Sequence, residues 1–325
     1  MKNTKGVKQL EANARQEIEN AAERLVDVRK LDREEWLRWR MRGIGGSDAA
    51  GVMGLSPFST PLSVYFDKVQ FEATEPTIAQ EVGIKLEPYV RRKFVKWIAE
   101  VEGVEVLVKK EHHILQHPEY PWMIANLDGY FYHPVLACIC LLECKTTSAF
   151  MADEWDEETL PDGYYIQVQH CLAVTGWKYA YVAYLVGNNK FGAMCIPRNE
   201  EVIASIIEKE KDFWENHVQA NIPPAPIGHK RDAEILKSLY GDTVEEGKTI
   251  DLEGEEWQDL YDEYKELQKQ AKEINGLVET IKQKIMAEMK DAETAFIGRK
   301  KATWKLQHRK GYTVQPSSSR VFRIW

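Results

Sequence analysis

Residues 135–142 form an unbroken apolar run, VLACICLL, and this stretch restricts the fold of the chain more than any other. A short apolar run of this kind predicts a β-strand that is fully buried. Glu143 and Lys145 follow it directly. Side chains two residues apart in a strand point to the same face, so these two point together while Cys144 points away. Charged residues directly after a buried strand lie at the rim of the sheet, where α/β proteins place their sites.

Asp128 ends the apolar and aromatic segment that precedes this strand. If the two segments pair as a hairpin, two carboxylates and one ammonium group converge at the same end of the sheet. Oxygen ligands suit Mg²⁺, which usually keeps several waters and substrate phosphate oxygens. A lysine beside the ion orients or deprotonates a water, so the grouping predicts hydrolysis of phosphodiester bonds. The alternative is a plain hairpin with a solvated Glu–Lys face, because Asp-Gly is a common turn pair.

The remainder of the chain alternates helical and strand patterns, which predicts a layered α/β core. Predicted helices cover residues 1–30, 32–40 (opened by a capping box of Asp32 and Glu35), a short stretch near Ser47, 61–69, 78–100, 161–175, 200–218 and 255–289. The last of these is a long helix or a helical hairpin. Predicted strands cover 105–109, 113–116, 122–132, 136–146, 179–186 and 191–196, with edge strands at Trp304 and in the closing SRVFRIW.

Residues 221–230, NIPPAPIGHK, mark the clearest linker, because consecutive prolines break both helices and central strands. We therefore expect three regions. Residues 1–30 form an N-terminal helical segment, residues 31–220 form the α/β core, and residues 231–325 form an extension with the long helix and terminal strands.

The bulk composition limits the kind of protein this is. A net charge of −8 and a pI near 5.6 argue mildly against indiscriminate nucleic-acid binding, but phosphate contact needs only a local basic track, such as residues 91–93 or 299–310. Five cysteines without Cys-x-x-Cys spacing fit reduced thiols rather than disulfides or an iron–sulfur cluster. Because no run approaches the ~18 apolar residues of a membrane span, we expect a soluble, cytoplasmic protein that has no membrane partner.

Several motifs occur in the same order as in a known group of nucleases. They are RMRGIGGSDAAGVMGLSPFSTPLSVYFDK, GIKLEPYVRRKF, NLDGYF, LLECKTT, YYIQVQHCLAVTGWKYAYVAYLVG and the tail SSSRVFRIW. On these motifs the chain resembles the YqaJ and lambda-exonuclease-like viral recombinase nucleases of the PD-(D/E)XK superfamily, from about Trp36 to the C-terminus. The resemblance implies an α/β fold with a PD-(D/E)XK (restriction-endonuclease-like) core. In that core a mixed central sheet is flanked by helices, and here a C-terminal helical extension follows it.

The resemblance also implies an activity. It indicates a Mg²⁺-dependent deoxyribonuclease, with Mn²⁺ as a substitute, that degrades linear double-stranded DNA from 5′ to 3′ in phage-type recombination. Its implied partners are duplex DNA ends and a phage single-strand annealing protein, and its implied assembly is a homo-oligomer, by resemblance a trimer, in the bacterial host cytoplasm. Two other classes stay open. One is a structure- or sequence-selective DNA endonuclease of the same superfamily, and the other is a non-catalytic DNA-binding or interaction protein.

The resemblance assigns metal ligands as well. Asp128 and Glu143 bind the ion, and the backbone carbonyl of Cys144 is an additional ligand. Glu87, in the motif LEPYV, is a further ligand or a supporting acid. The alternative for Glu87 is a salt bridge to Arg91 one helical turn later, which is common on solvated helix faces.

Two further groups complete the predicted site. Lys145 orients the attacking water or stabilises charge on the phosphate, and Gln167, in the string QVQH, positions the water or a phosphate. Arg40 and Ser47 match, by their seven-residue spacing, the pair that grips a terminal 5′-phosphate in lambda-type exonucleases, and Tyr164 is grouped with them for substrate binding. A guanidinium fork and a hydroxyl are suitable phosphate donors. The alternatives are that Arg42 takes the place of Arg40, or that the glycines near Ser47 only form a turn.

Overall fold

The computed structural model describes residues 22–72, 75–155, 159–241, 247–308 and 324. The chain divides into two compact units, Met1–Ser238 and Leu239–Trp325. Residues 1–21 of the helix predicted over residues 1–30 lie outside the described residues, and so does the strand predicted in SRVFRIW apart from Ile324. Within the described ranges, no helix combines the length and apolar character that crossing a membrane requires.

The helix that follows Asp32 begins where the capping residues predict. The carboxylate of Asp32 accepts a hydrogen bond from the amide of Glu35, and the carboxylate of Glu35 accepts one from the amide of Asp32, which is the expected capping box. The helices up to residue 240 are α1 (Arg33–Arg40), α2 (Gly46–Val52), α3 (Pro61–Val69), α4 (Ile78–Val101), α5 (Asp162–Thr175), α6 (Glu200–Phe213) and α7 (Lys230–Tyr240). Short 3-10 segments lie at Val28–Lys30 and Ala149–Glu154, and a π-helical turn, Trp214–Gln219, extends α6.

In the described part of the first unit, seven strands form two sheets. A three-stranded antiparallel sheet has the order β1 (Glu23–Asp27), β2 (His113–Gln116), β3 (Ile124–Ala125). A four-stranded mixed sheet has the order β4 (Gly129–His133), β5 (Cys138–Thr147), β6 (Tyr179–Val186), β7 (Lys190–Pro197). Only β5 and β6 are parallel, and α5 provides the crossover that a parallel pair needs. The expected α/β class with a mixed central sheet is confirmed.

Strand β5 is covered by a helical layer on each face. Ile139 and Leu141 lie in the apolar cluster that includes Val168 and Leu172 of α5. Cys140 and Leu142 lie in the cluster that includes Val90 and Phe94 of α4. Alternate residues of one strand therefore enter two different cores, and this explains why the run is apolar without a break.

Four secondary-structure predictions are corrected. Residues 23–27 are a strand and not part of a helix, because they pair with β2 in a register that sets Asp27 opposite His113. Residues 105–109 contribute only an isolated bridge between Lys109 and Tyr130. The segment predicted as one strand over 122–132 is divided between the two sheets as β3 and β4. Val135 is 75% exposed in the turn before β5, so the buried part of the apolar run begins later than predicted.

The predicted linker, residues 221–230, lies within the first unit, which extends to Ser238. The amide of Ile227 donates to the carboxylate of Asp232, which also accepts from the hydroxyl of Thr60, and Asp232 is buried. His229 approaches the carbonyl of Pro57 at 3.2 Å. These contacts hold the proline-rich segment against the start of α3.

The second unit contains α8 (Glu255–Met289), a helix of 35 residues, and a hairpin of β8 (Thr294–Ile297) and β9 (Lys300–Thr303). The helix continues through Asn275 and Gly276, so the long-helix prediction is confirmed and the helical hairpin is excluded. Gly298, in the hairpin turn, has a positive φ of 60°, a conformation that glycine adopts without steric cost.

Candidate active site

Asp128 lies beside Glu143 because β4 and β5 pair as a hairpin. Their antiparallel register sets Gly129 opposite Leu142, so the residues that flank this pair meet at one end of the sheet. The backbone amide of Cys144 donates a hydrogen bond of 2.9 Å to Oδ2 of Asp128. The predicted meeting of the two strand ends is therefore present.

Glu143 and Lys145 point to the same side of β5, towards α5. Nζ of Lys145 lies 2.8 Å from Oε1 of Glu143. Gln167 of α5 connects both, because its Nε2 donates to Oε1 of Glu143 at 2.7 Å and its Oε1 accepts from Nζ of Lys145 at 2.8 Å. Cys144 packs on the opposite side, against the cluster of α4. The predicted alternation is confirmed, and Gln167 is in direct contact with the charged pair.

The electrostatic environment of Asp128 disfavours its charged form. Burial raises the pKa of Asp128 to about 8, the negative charge of Glu143 adds to this effect, and Lys145 only partly opposes it. Burial alone would lower the pKa of Lys145, but the carboxylates of Glu143 and Asp128 raise it, so this side chain is an ammonium ion. The site therefore holds two adjacent carboxyl groups, and the ammonium group of Lys145 only partly offsets the repulsion between their negative charges.

Because Gly129 has no side chain, the segment with Val108 and Lys109 can approach the start of β4 closely. A Cβ atom at this position would lie 2.9 Å from Cγ1 of Val108 and 3.2 Å from the carbonyl oxygen of Lys109. Arg91 of α4 also reaches this point and donates to the carbonyl oxygen of Asp128 at 3.3 Å. Any larger residue after Asp128 would push these neighbours away.

Glu87 is held by cations in this structure. Its Oε1 accepts from Arg91 at 3.1 Å and from Lys110 at 2.8 Å, which is the salt bridge that the alternative interpretation predicted. In the described part of the chain, no three His, Cys, Asp or Glu side chains are grouped closely enough to hold a metal ion. Glu87 is still near enough to raise the pKa of Asp128, and its role as a ligand stays a prediction.

Tyr164 lies beside Lys145 on the first turn of α5. Nζ of Lys145 is 4.9 Å from the centroid of the Tyr164 ring, a cation–π distance. The ring centroid of Trp155 lies 5.1 Å from that of Tyr164. The contacts of Tyr164 thus place it against the lysine of the site, and its predicted role in binding a 5′-phosphate stays a prediction.

Arg40 and Ser47, which were predicted together as a 5′-phosphate-binding pair, are in contact. Nη2 of Arg40 donates to Oγ of Ser47 at 2.8 Å. The guanidinium of the rival residue Arg42 lies instead over the ring of Trp39, 4.1 Å from its centroid. The structure therefore pairs Arg40, and not Arg42, with Ser47.

Asp48 joins Arg40 to a second cation, Lys68 of α3. Its two carboxylate oxygens bind Nη2 of Arg40 at 2.8 Å and Nζ of Lys68 at 2.6 Å. Although burial opposes the charge, Arg40 and Lys68 hold the pKa of Asp48 well below its usual range. Burial and the neighbouring Asp48 raise the pKa of Asp67, which disfavours a second negative charge here. We call Arg40, Ser47, Asp48 and Lys68 the Arg40 cluster.

Gly46 brings the Arg40 cluster next to the Glu143 site. A Cβ atom at Gly46 would lie 2.8 Å from Sγ of Cys171 and 3.3 Å from Cγ of Gln167, both on α5. Helix α2, which carries Ser47 and Asp48, is therefore packed directly on the helix that carries Gln167. The two groups of predicted site residues are neighbours in the fold.

Asp48, Lys68 and Lys110 contact the predicted residues but were not predicted themselves. Asp48 did carry a signal, since a carboxylate three residues after Gly45 can accept from its amide, and it does so at 3.0 Å. The two lysines reach the site from separate elements, and their positions in the sequence contain no sign of this.

Comparisons with known proteins identify relatives. Residues 35–178 match the family described as the YqaJ-like viral recombinase domain. The protein YqaJ of Bacillus subtilis (strain 168) is 37% identical over 288 residues, which cover 87% of this chain and 86% of YqaJ.

Solved structures give weaker likenesses. LHK-Exo, an alkaline exonuclease of Laribacter hongkongensis, is 21% identical in its complex with dAMP, with a TM-score of 0.47 over 62% of this chain and 99% of that chain. A phage-related exonuclease of Haemophilus somnus 129PT is 14% identical, with a TM-score of 0.40 over 55% of this chain and 96% of that chain. Likenesses at this level do not establish shared chemistry, so the family relationship rests on the match to YqaJ.

Proposed function

This chain belongs to the YqaJ-like viral recombinase family, and from that premise we propose that it is a divalent-metal-dependent exonuclease of linear duplex DNA with a PD-(D/E)XK core. One observation carries the proposal. Gln167 bonds to both Glu143 and Lys145, while Asp128 is fixed beside them through the amide of Cys144. Two carboxyl groups, an ammonium group and an amide at a strand end are the parts that metal-assisted phosphodiester hydrolysis needs.

The residues present fit a divalent ion. Two neighbouring carboxyl groups, one with a pKa raised to about 8, are an unfavourable arrangement that a bound cation would relieve. The N–H and C=O groups of one strand residue point to the same side, so the carbonyl of Cys144 lies on the side of Asp128 and offers a third oxygen. Burial raises the pKa of the Cys144 thiol, which disfavours a thiolate ligand. Oxygen donors of this kind favour Mg²⁺, with Mn²⁺ as a substitute.

Each side chain has a separate task in the proposed mechanism. A bound divalent ion supplies Lewis acidity and a water of lowered pKa. Asp128 and Glu143 hold their oxygens at one point of the sheet edge. Lys145, kept protonated by these carboxylates, orients the water and stabilises negative charge on the phosphate. Gln167 fixes the positions of Glu143 and Lys145 relative to each other.

The Arg40 cluster is the proposed binding site for the terminal 5′-phosphate. Arg40 presents a guanidinium fork and Ser47 a hydroxyl, and Asp48 holds two cations that together offset its own charge. Packing of α2 on α5 supports a bound 5′ end beside the cleavage residues. Digestion from that end proceeds 5′ to 3′ and exposes a 3′ strand, for which a single-strand annealing protein is the proposed partner.

The activity is tested on three DNA substrates in Mg²⁺ and in EDTA. These are linear duplex with 5′-phosphates, the same duplex with 5′-hydroxyls, and closed circular duplex. We expect Mg²⁺-dependent digestion of the phosphorylated linear DNA, slower digestion of the hydroxylated form, and no digestion of the circle. Lys145→Ala should abolish cleavage while the protein stays folded, because the ammonium group is replaced by a methyl group at the reacting end of the strand.

Lys178→Ala is the matched control. Lys178 is an exposed lysine immediately before β6, at the opposite end of the parallel pair from Lys145, and its removal should leave cleavage unchanged. Digestion of the closed circle would favour an endonuclease. Binding of DNA without cleavage in Mg²⁺ or Mn²⁺ would favour a non-catalytic protein.

A further inference from the structure

Helix α8 carries an apolar side that is exposed to solvent. Leu260 is 54% exposed, Leu267 55%, Ile274 59% and Ile281 58%. An amphipathic helix gains most of its stability by burying such a side against another surface. A row of large aliphatic side chains exposed along one helix therefore marks a surface that another molecule covers.

The apolar residues of α8 follow a strict heptad repeat. From Trp257 to Ile285 the spacing alternates between three and four residues, through Trp257, Leu260, Tyr264, Leu267, Ala271, Ile274, Val278, Ile281 and Ile285. With Trp257 as position a, the outer positions b, c and f hold only polar residues and one glycine: Gln258, Asp259, Asp262, Lys265, Glu266, Lys269, Lys272, Glu273, Gly276, Glu279, Thr280 and Gln283. An a/d seam that is sustained over four heptads is the signature of a coiled coil, whereas a helix on a globular core has a broader apolar stripe.

We propose that α8 pairs antiparallel with α8 of a second copy of this chain. If the symmetry axis passes between Ala271 and Ile274, each a residue faces a d residue of the second copy. Ala271 then faces Ile274, and Leu260 faces Ile285. All the seam residues between Leu260 and Ile285 acquire an apolar neighbour, and the small Ala271 is matched with the larger Ile274 at the centre.

The charges beside the seam select the antiparallel direction. Glu263 and Lys284 both occupy position g. In the antiparallel pair, Glu263 of each copy lies next to Lys284 of the other, which gives two symmetric ion pairs. In a parallel pair, position g of one helix faces position e of the next heptad on the other helix. Glu263 would then face Gln268, and Lys284 would have no acidic counterpart.

Both charges are available for such a contact. In the portion of the chain that the structure describes, neither Glu263 nor Lys284 takes part in an ion pair, although neighbouring Lys282 binds Glu279 at 2.6 Å. This pairing does not rest on the nuclease assignment, because α8 lies outside the residues that form the proposed site.

The mass of the full-length protein in solution tests the proposal. Sedimentation equilibrium of the wild type should give an even multiple of the 37.5 kDa chain mass. Ile274→Glu combined with Ile281→Glu places four carboxylates in the seam of the pair and should halve that mass. Thr280→Glu combined with Gln283→Glu adds the same charge at outer positions and should leave the mass unchanged. All four positions are exposed in the single chain, so both variants should fold, with circular dichroism and DNA cleavage as checks.

A charge exchange tests the direction. Glu263→Lys alone sets two lysines against each other at both ends of the pair and should weaken dimerisation about tenfold or more. Glu263→Lys together with Lys284→Glu recreates both ion pairs with reversed sign and should restore the wild-type constant. A wild-type mass that is an odd multiple of the chain mass, whether monomer or trimer, would overturn the pairing and assign the surface to another occupant. An unchanged mass in the Ile274/Ile281 variant would also overturn it, and failure of the exchange to restore affinity would overturn the antiparallel direction.

Discussion

The backbone amide of Cys144 donates a hydrogen bond to the carboxyl group of Asp128, and this contact ties the beginning of one strand to the end of its neighbour. The bond favours a charged Asp128, yet burial and Glu143 outweigh it and raise the pKa to about 8. In the absence of a bound cation, the carboxyl group of Asp128 therefore keeps its proton near neutral pH.

We expect the metal-free protein to lose stability as the pH rises from about 4 to about 8, because of Asp128. The unfolded chain releases the proton near 3.8 and the folded protein releases it only near 8. The folded state therefore binds more protons between these values, and stability that is fully present below the lower pKa is lost as pH rises through the higher one. Denaturant unfolding in EDTA, over a pH series, measures the slope.

Asp128→Asn isolates this effect, since the amide does not titrate but keeps nearly the same shape. As the pH rises from about 4 to about 8, the unfolding free energy of the wild type should fall relative to that of Asp128→Asn. Addition of Mg²⁺ near pH 8 should stabilise the wild type and not the variant. Parallel pH profiles for the two proteins would contradict the assignment of the raised pKa to Asp128.

Gln167→Ala should lower cleavage about 10- to 100-fold with little loss of stability, a change of roughly 1.4 to 2.7 kcal/mol in the activation barrier. The amide holds Glu143 and Lys145 in one geometry, and without it the ion pair rearranges. The measurement is the single-turnover cleavage rate beside the melting temperature.

Gln169 provides the matched control on the same helix. It is buried and bonds the backbone of Pro197 and Asn199, away from the carboxylates. Gln169→Ala should lower the melting temperature and leave the cleavage rate of the folded protein nearly unchanged. Equal loss of rate in both variants would show that Gln167 acts only through general stability.

Asp48→Ala should destabilise the protein by about 3–5 kcal/mol, because it leaves the buried Lys68 without its counter-ion. The pKa of Asp48 is held below its usual value, so this contribution is present at neutral pH and is lost only as pH falls. The variant should also lose the preference for 5′-phosphorylated over 5′-hydroxylated ends, since Arg40 is no longer held beside Ser47.

Glu34→Ala is the control, because it also removes a carboxylate that forms an ion pair with an arginine. Glu34 and Arg38 form an exposed pair one turn apart on α1, so the expected change in unfolding free energy is about 0–1 kcal/mol. The end preference should be unaffected. A comparable destabilisation by both substitutions would mean that the burial of Lys68 beside Asp48 has no energetic consequence.

Gly46→Ala should destabilise the protein by about 1–3 kcal/mol, since the added methyl group meets Sγ of Cys171 at 2.8 Å and forces α2 away from α5. Cys171→Ala in the same chain should recover part of this loss by removing the sulfur. Gly276→Ala in α8 meets nothing within 4 Å and should be neutral or stabilising. Unfolding in denaturant measures the change in stability of each variant. The preference for 5′-phosphorylated over 5′-hydroxylated ends shows whether the displacement of α2 also affects end binding.

The sequence predicted the elements whose pattern is local. The capping box of Asp32 and Glu35, the limits of β2 and β6, and the alternation of Glu143 with Lys145 all follow from neighbouring residues. The hairpin that brings Asp128 to the same point follows from a short connection between two apolar segments.

What the sequence could not predict depends on contacts between distant residues. The charged stretch at residues 23–27 has a helical composition, but pairing with β2 makes it a strand. Lys68 is one lysine among many, and only packing of α3 against the glycine-rich turn places it on Asp48. The prolines at residues 223 and 224 predicted a linker, but they contain no sign that the buried Asp232 accepts a hydrogen bond from Thr60 and so attaches the following segment to α3.

Because α2 is packed directly on α5 through Gly46, the helix of the proposed 5′-phosphate site is in contact with the helix of the proposed cleavage site. If both act as proposed, this packing sets the distance between the bound 5′ end and the bond that is cut. The number of nucleotides released per cut would then depend on the absence of a side chain at Gly46.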